Sequence, residues 1–257
     1  MNAADPGALG ADRSRHGRRP TETTMDDVTN ATVFFPGAGS FGTEFRPLAR
    51  ALGRASWPVR YPGRPGRDFG APAASFDAVV EACAEQITRR AAVCPLLLGH
   101  SYGAYVAYAT AARLRAAGVE IAALVAVGAA GPARLRVPEQ AGTGPAEAAA
   151  YLDQVDPGVL AGAPSDDWRA VVAETTAQDL RLLSRFTPST DPVLPCPVLA
   201  GRGTEDPLTT DDTIAAWQQT TTGPFFRRTF PGGHSDLLGS PECASWLQEV
   251  RQMVGAR

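Results

Sequence analysis

The residues that could do chemistry in this 257-residue chain are few enough to trace one by one. Gly99-His100-Ser101-Tyr102-Gly103 sets a serine between two glycines, directly after the apolar run Pro95-Leu96-Leu97-Leu98 and at the head of a helical pattern over 102–117. A strand that turns sharply into a helix pushes the side chain at the turn out from the strand's end, so this spacing fits the Gly-x-Ser-x-Gly elbow that exposes a nucleophilic serine. A serine hydroxyl attacks poorly at neutral pH unless a base lies within hydrogen-bond reach. The chain has three histidines. His16 sits in an Arg- and Gly-rich leader, and His100 alternates to the side of the strand opposite Ser101 and should point into the structure. His234, in Pro231-Gly232-Gly233-His234 after a strand pattern at 225–230, is the base that remains.

Such a base needs a carboxylate to fix its tautomer and to stabilise the imidazolium that forms during attack. In elbow-bearing hydrolases the acid lies between serine and histidine in the chain, at the C-terminal end of a strand. The apolar run 121–127 leads into Gly128-Ala129-Ala130-Gly131-Pro132, which has no acid. The next, Val198-Leu199-Ala200, leads into Gly201-Arg202-Gly203-Thr204-Glu205-Asp206-Pro207, so Asp206 is the candidate, with Glu205 as the alternative. An oxyanion site needs two backbone N–H donors, one following the nucleophile and one from an early glycine-rich loop. Tyr102 and Ala38, the latter in Pro36-Gly37-Ala38-Gly39-Ser40, are the candidates.

These residues have to be positioned by a larger frame. Short apolar runs at 32–35, 57–61, 94–98, 121–127, 198–200 and 225–230 alternate with helical patterns at 45–52, 75–92, 102–117, 211–220 and 241–254. That alternation predicts an α/β domain in which a mostly parallel sheet is covered by helices. In the helix at 75–92, Phe76, Val79, Val80, Cys83 and Ile87 make one apolar stripe, with Ser75 as its N-cap. Between the fourth and fifth strands more than 60 residues pass without a strand pattern, too many for a plain loop, and helical stretches at 146–154 and 166–186 predict an inserted helical lid. The expected organisation is a flexible tail at 1–28, a core at 29–131 and 196–257, and a lid at 132–195.

Composition narrows the chemistry further. All 24 basic residues are arginine. Without lysine the chain can form no Schiff base and has neither the P-loop nor the protein-kinase phosphate contact. Four cysteines with no Cys-x-x-Cys pair, and no two histidines at ligand spacing, predict reduced, buried thiols and no metal site. A formal charge of −3 offers no basic field for nucleic acid. The longest apolar stretch, 121–130, is half of a bilayer crossing, and the N-terminus has no hydrophobic signal core, so a cytoplasmic protein without a membrane role is expected.

Taken together, Phe35-Pro36-Gly37-Ala38-Gly39-Ser40, Tyr61-Pro62-Gly63-Arg64, Gly99-His100-Ser101-Tyr102-Gly103 and Pro231-Gly232-Gly233-His234 resemble the discrete type II thioesterases of polyketide and nonribosomal peptide pathways, over about residues 31–254. The resemblance implies an α/β-hydrolase fold with an inserted helical lid. It also implies hydrolysis of acyl groups from the phosphopantetheine arm of an acyl or peptidyl carrier protein, in an editing role, by a monomer with no cofactor. By position Ser101, Asp206 and His234 match that family's triad, and Ala38 and Tyr102 its oxyanion donors. Three departures stand out: Gly37 where the family often has His, Tyr102 where it often has Met, and Ser235 and Asp236 where aromatic residues are usual. The lid residues available to line an acyl chamber are Leu152, Val155, Leu160, Trp168, Val171, Leu180, Leu182, Leu183 and Phe186, most of which are expected to pack the lid against the core instead. Arg64 and Arg67 are the arginines expected to meet an acidic carrier protein. A carboxylesterase of free esters would use the same triad, as would an acyl-transferring or cyclising thioesterase; a non-catalytic binding protein is the remaining reading.

Overall fold

A computed structural model describes residues 31–53, 55–66, 68–188 and 194–255. The expected tail at 1–28, with His16, and Arg67 lie outside the described residues. Among the described residues six strands form one sheet: β1 (Thr32–Phe35), β2 (Ser56–Pro58), β3 (Leu96–His100), β4 (Ala123–Val127), β5 (Val198–Gly203) and β6 (Phe225–Phe230), in the order β2-β1-β3-β4-β5-β6. Every pairing is parallel. Parallel neighbours need crossovers, and helices supply them: α1 (Arg46–Leu52), α2 (Phe76–Arg89), α3 (Tyr102–Ala116), then α4 (Pro145–Val155), α5 (Pro157–Ala161) and α6 (Asp166–Leu183) between β4 and β5, and α7 (Asp211–Ala215) between β5 and β6; α8 (Pro241–Gly255) follows the last strand.

Alternation along the strands builds two cores. Val33, Phe35, Leu97, Leu124 and Ala126 face α2 and α3, where Val79, Val80, Cys83 and Ile87 form the apolar stripe seen in the sequence. Phe34, Leu96, Leu98, Val125 and Val127 face the other way, against Leu48 of α1 and Trp246, Leu247 and Val250 of α8. A sheet covered on both faces is why these strands read as continuous apolar runs. Ser75 caps α2 as expected, its hydroxyl accepting from the Ala78 N–H at 3.1 Å.

Several expectations shift. β3 begins at Leu96 rather than at residue 94, because Cys94 has φ of 48°, and runs on to His100 because Phe35 of β1 pairs with Gly99 and Val127 of β4 pairs with His100. β2 stops at Pro58 instead of residue 61, since it is an edge strand paired only with β1. Helix α5 lies between the two helical stretches expected in this segment, and Asp156-Pro157 is its start signal, with Pro at the first helical position. Cys94 is partly exposed, while the other three cysteines are buried.

Among the described residues no helix is long and apolar enough to cross a membrane.

Candidate active site

Ser101 sits where β3 turns into α3, with φ of 53° and ψ of −121°, a conformation sparsely populated for any residue with a side chain. The two glycines of the motif make that turn sterically possible. A Cβ on Gly99 would fall 2.3 Å from the Gly103 carbonyl oxygen, and one on Gly103 would fall 2.0 Å from that of Phe35. Both obstacles are backbone and cannot move aside. Gly103→Ala is expected to cost at least about 1–3 kcal/mol of stability, seen as a lower denaturant midpoint at unchanged slope.

The Ser101 N–H bonds to the Val127 carbonyl of β4 at 2.9 Å, and the residue lines a cavity of about 260 Å³ together with His234, His100 and the loop Gly37-Ala38-Gly39-Ser40. His234 follows β6 and is buried. Its Nδ1 lies 3.0 Å from Asp206 Oδ1. An ionised carboxylate only accepts, so Nδ1 carries the proton and Nε2 is left as the basic nitrogen. Asp206 is 4 % exposed and also accepts from the Leu208 N–H at 2.9 Å and the Thr209 hydroxyl at 2.7 Å. Burial raises its pKa, but the hydrogen bond and charge attraction of His234, with the hydrogen bonds from Leu208 and Thr209, outweigh it and hold the carboxyl below the usual range. Glu205 is exposed.

His100 is buried as expected, its ring centroid 4.8 Å from that of His234 and its Nε2 3.1 Å from the His234 carbonyl oxygen. A carbonyl only accepts, so Nε2 of His100 donates. Burial pushes the His100 pKa down to about 3, so it adds no positive charge beside His234.

Around Ala38 three neighbouring amides are engaged. Gly37 N–H donates to Glu44 Oε1 at 3.3 Å, Gly39 N–H to Asp179 Oδ2 at 2.9 Å, and Ser40 N–H to the Gly37 carbonyl at 3.1 Å. Among the described residues the Ala38 N–H has no such acceptor. Tyr102 is the first residue of α3, where the helix itself provides no partner for the N–H. Its side chain points away into the core, edge-on to Tyr61 and Phe76. The Ser235 side of the histidine loop borders the cavity, whereas Asp236 is exposed and accepts from the Gly233 N–H at 2.7 Å, tying its own loop.

The segment between β4 and β5 forms the opposite wall. Of the apolar residues available in this segment, Leu152, Val155, Trp168 and Leu180 line the cavity, with Val172 in place of Val171. Leu160 packs on Leu152 and Val172, Leu182 and Leu183 belong to the main core, and the ring of Phe186 lies tilted against that of Phe76, centroids 4.8 Å apart. Tyr151, Asp156 and Glu44 also line it and were not singled out in the sequence.

Arg64 departs from expectation altogether. It is 5 % exposed and cannot meet a partner protein, because it forms an ion pair with Asp179 at 2.5 Å. Asp179 had a signal in the sequence: it lies on the buried stripe of α6 with Val172, Thr176 and Leu183, where an unpaired acid would be costly.

Comparison with known proteins places this geometry in a family. The chain is 28% identical over 249 residues to a probable cadicidin biosynthesis thioesterase of Streptomyces griseus, covering 90% of this chain and 69% of that protein. It is 26% identical over 253 residues to the thioesterase TesA of Mycobacterium marinum, covering 91% and 96%. Among solved structures, the RedJ thioesterase from the prodiginine biosynthetic pathway in Streptomyces coelicolor superposes with a TM-score of 0.76 at 26% identity, over 94% of this chain and 99% of that one. The thioesterase domain model matches residues 32–250, from the first strand to the last helix, and the chain therefore belongs to the thioesterase domain family, a thioester hydrolase on an α/β-hydrolase fold.

Proposed function

We propose that this chain is a type II editing thioesterase of a polyketide or nonribosomal peptide pathway, a monomeric cytoplasmic enzyme that clears acyl groups from the phosphopantetheine arm of an acyl or peptidyl carrier protein. Ser101 Oγ attacks the thioester carbonyl as its proton passes to His234 Nε2, and Asp206 stabilises the imidazolium. The N–H groups of Ala38 and Tyr102 hold the oxyanion. Collapse expels the thiol, which takes the proton from His234. Water then attacks the acyl-enzyme, losing a proton to His234, and Ser101 regains that proton as the carboxylic acid leaves. The helices within 132–195 act as a lid whose apolar wall receives the acyl chain. No step calls for a cofactor or a metal.

The observation that carries this reading is the 3.0 Å contact of His234 with Asp206 on the wall of a cavity that also holds Ser101 and the Ala38 loop. Its support is the likeness, over 90% of the chain, to a probable cadicidin biosynthesis thioesterase. A panel of acyl groups, each on a carrier protein and on a free thiol mimic, tests it. Higher kcat/KM on the carrier protein is expected for every acyl group accepted. Equal rates on both, with faster turnover of free aryl esters, would instead identify a carboxylesterase. Ester or amide products in the presence of an alcohol or amine would identify an acyltransferase.

A further inference from the structure

The buried pair Arg64 and Asp179 has no part in the reaction sequence above, yet its hydrogen bonds outside the pair go to the residues that follow Ala38. Asp179 Oδ2 accepts from the Gly39 N–H at 2.9 Å and from Arg64 at 2.5 Å. Arg64 Nε donates to the Ser40 carbonyl at 3.0 Å. The guanidinium also lies over the rings of Phe41 and Tyr61, at 5.4 and 5.5 Å. Tyr61 in turn donates its hydroxyl to the Pro36 carbonyl at 2.9 Å, at the start of the same loop. Contact between this loop and α6 is close enough to require a glycine: at Gly39, φ is +71°, and a Cβ there would meet the Thr176 hydroxyl and the Val172 carbonyl of α6.

Stability alone is a poor reason for such a pair. Burying two charges costs about as much as their attraction returns, and an apolar pair of similar volume often does as well or better. What an apolar pair cannot do is hold an amide and a carbonyl at fixed points one residue apart. Catalysis by a backbone donor depends on that kind of fixity, because the donor must already face the place where charge develops.

Resting on the thioesterase reading above, we propose that Arg64 and Asp179 are positioning residues for the oxyanion site. Asp179 on α6 clamps the Gly39 amide and Arg64 clamps the Ser40 carbonyl on one side of Ala38, while Tyr61 holds the Pro36 carbonyl on the other, which keeps the backbone between them from turning the Ala38 N–H away from Ser101. Helix α6 thus has two duties: Trp168, Val172 and Leu180 line the acyl cavity, and Asp179 holds the donor loop.

The test compares Asp179→Asn, Arg64→Lys and the apolar double variant Arg64→Met with Asp179→Leu against wild type. Each is assayed for kcat and KM on an acyl N-acetylcysteamine thioester and on an aryl ester, for thermal midpoint, and for inhibition by a trifluoromethyl ketone, whose hemiketal adduct places an oxyanion in the site. Removing one oxyanion donor costs about 10²–10³ in kcat, so Asp179→Asn should lose about 10²-fold with KM unchanged and bind the ketone more weakly in proportion. Arg64→Lys should lose less, since it keeps the charge and surrenders the Ser40 contact. The double variant should regain the wild-type thermal midpoint without regaining kcat. Recovery of kcat together with the midpoint, or a loss confined to KM, would overturn the proposal. Should Asp179→Asn fail to fold, the double variant decides alone. The two readings separate cleanly: wild type inactive on the thioester but active on the ester sinks the thioesterase reading, and the ester data still judge the pair.

Discussion

Ser101→Ala is expected to abolish thioester hydrolysis, with a loss in kcat of about 10⁶-fold by analogy with removal of the serine from a protease triad. The alanine variant lacks the only atom able to form the acyl-enzyme. Its oxyanion donors are backbone N–H groups and remain, so residual activity somewhat above the uncatalysed rate is compatible with the mechanism. The same substitution should eliminate covalent labelling by a serine-directed fluorophosphonate. Fold is a separate matter: alanine takes the same φ of 53° at the same cost as serine, and the Ser101 N–H bond to Val127 is backbone, so the thermal midpoint should stay near that of wild type. Undiminished labelling would mean that the nucleophile lies elsewhere.

Asp206→Asn should slow turnover by about 10²–10⁴-fold while leaving the site in shape. An asparagine can present its NH₂ to His234 Nδ1, which puts the ring proton on Nε2 and leaves no base facing Ser101. It also removes the charge that stabilises the imidazolium. The pH dependence of stability supplies a second readout. The Asp206 carboxyl is held below its ordinary pKa, so the ionised form is favoured by folding; that contribution is present above the unfolded-state value and is lost as pH falls through the folded one. The asparagine variant should lack this acid-side loss. Glu205→Gln, at an exposed position, should change little; if it proves the more damaging of the two, the acid is misassigned.

Much of the frame was readable because it is written in local periods. β1 and β6 occupy the ranges that the apolar runs predict, and the stripe Phe76, Val79, Val80, Cys83, Ile87 faces the sheet. The turn at Ser101 was readable too, since Gly99 and Gly103 are required by backbone that lies against them. Boundaries were harder. The end of β3 depends on how far β1 and β4 extend beside it, and α5 is too short to show a period.

Within the site the division follows the same physics. Scarcity did part of the work: with no lysine and three histidines, His234 is the base that local context leaves standing, and the structure sets it against Asp206. The sequence alone kept Glu205 open beside Asp206 and sent Arg64 to the surface. Tertiary structure turned Glu205 to solvent and buried Arg64 against an acid 115 residues away. Spacing along a chain encodes which residues share a strand, a helix face or a turn. It does not encode which of two adjacent acids the fold turns inward, nor which charge from a distant helix arrives to meet a loop. The first outcome depends on how the loop after β5 meets His234, and the second on how α6 packs over the loop that follows β1.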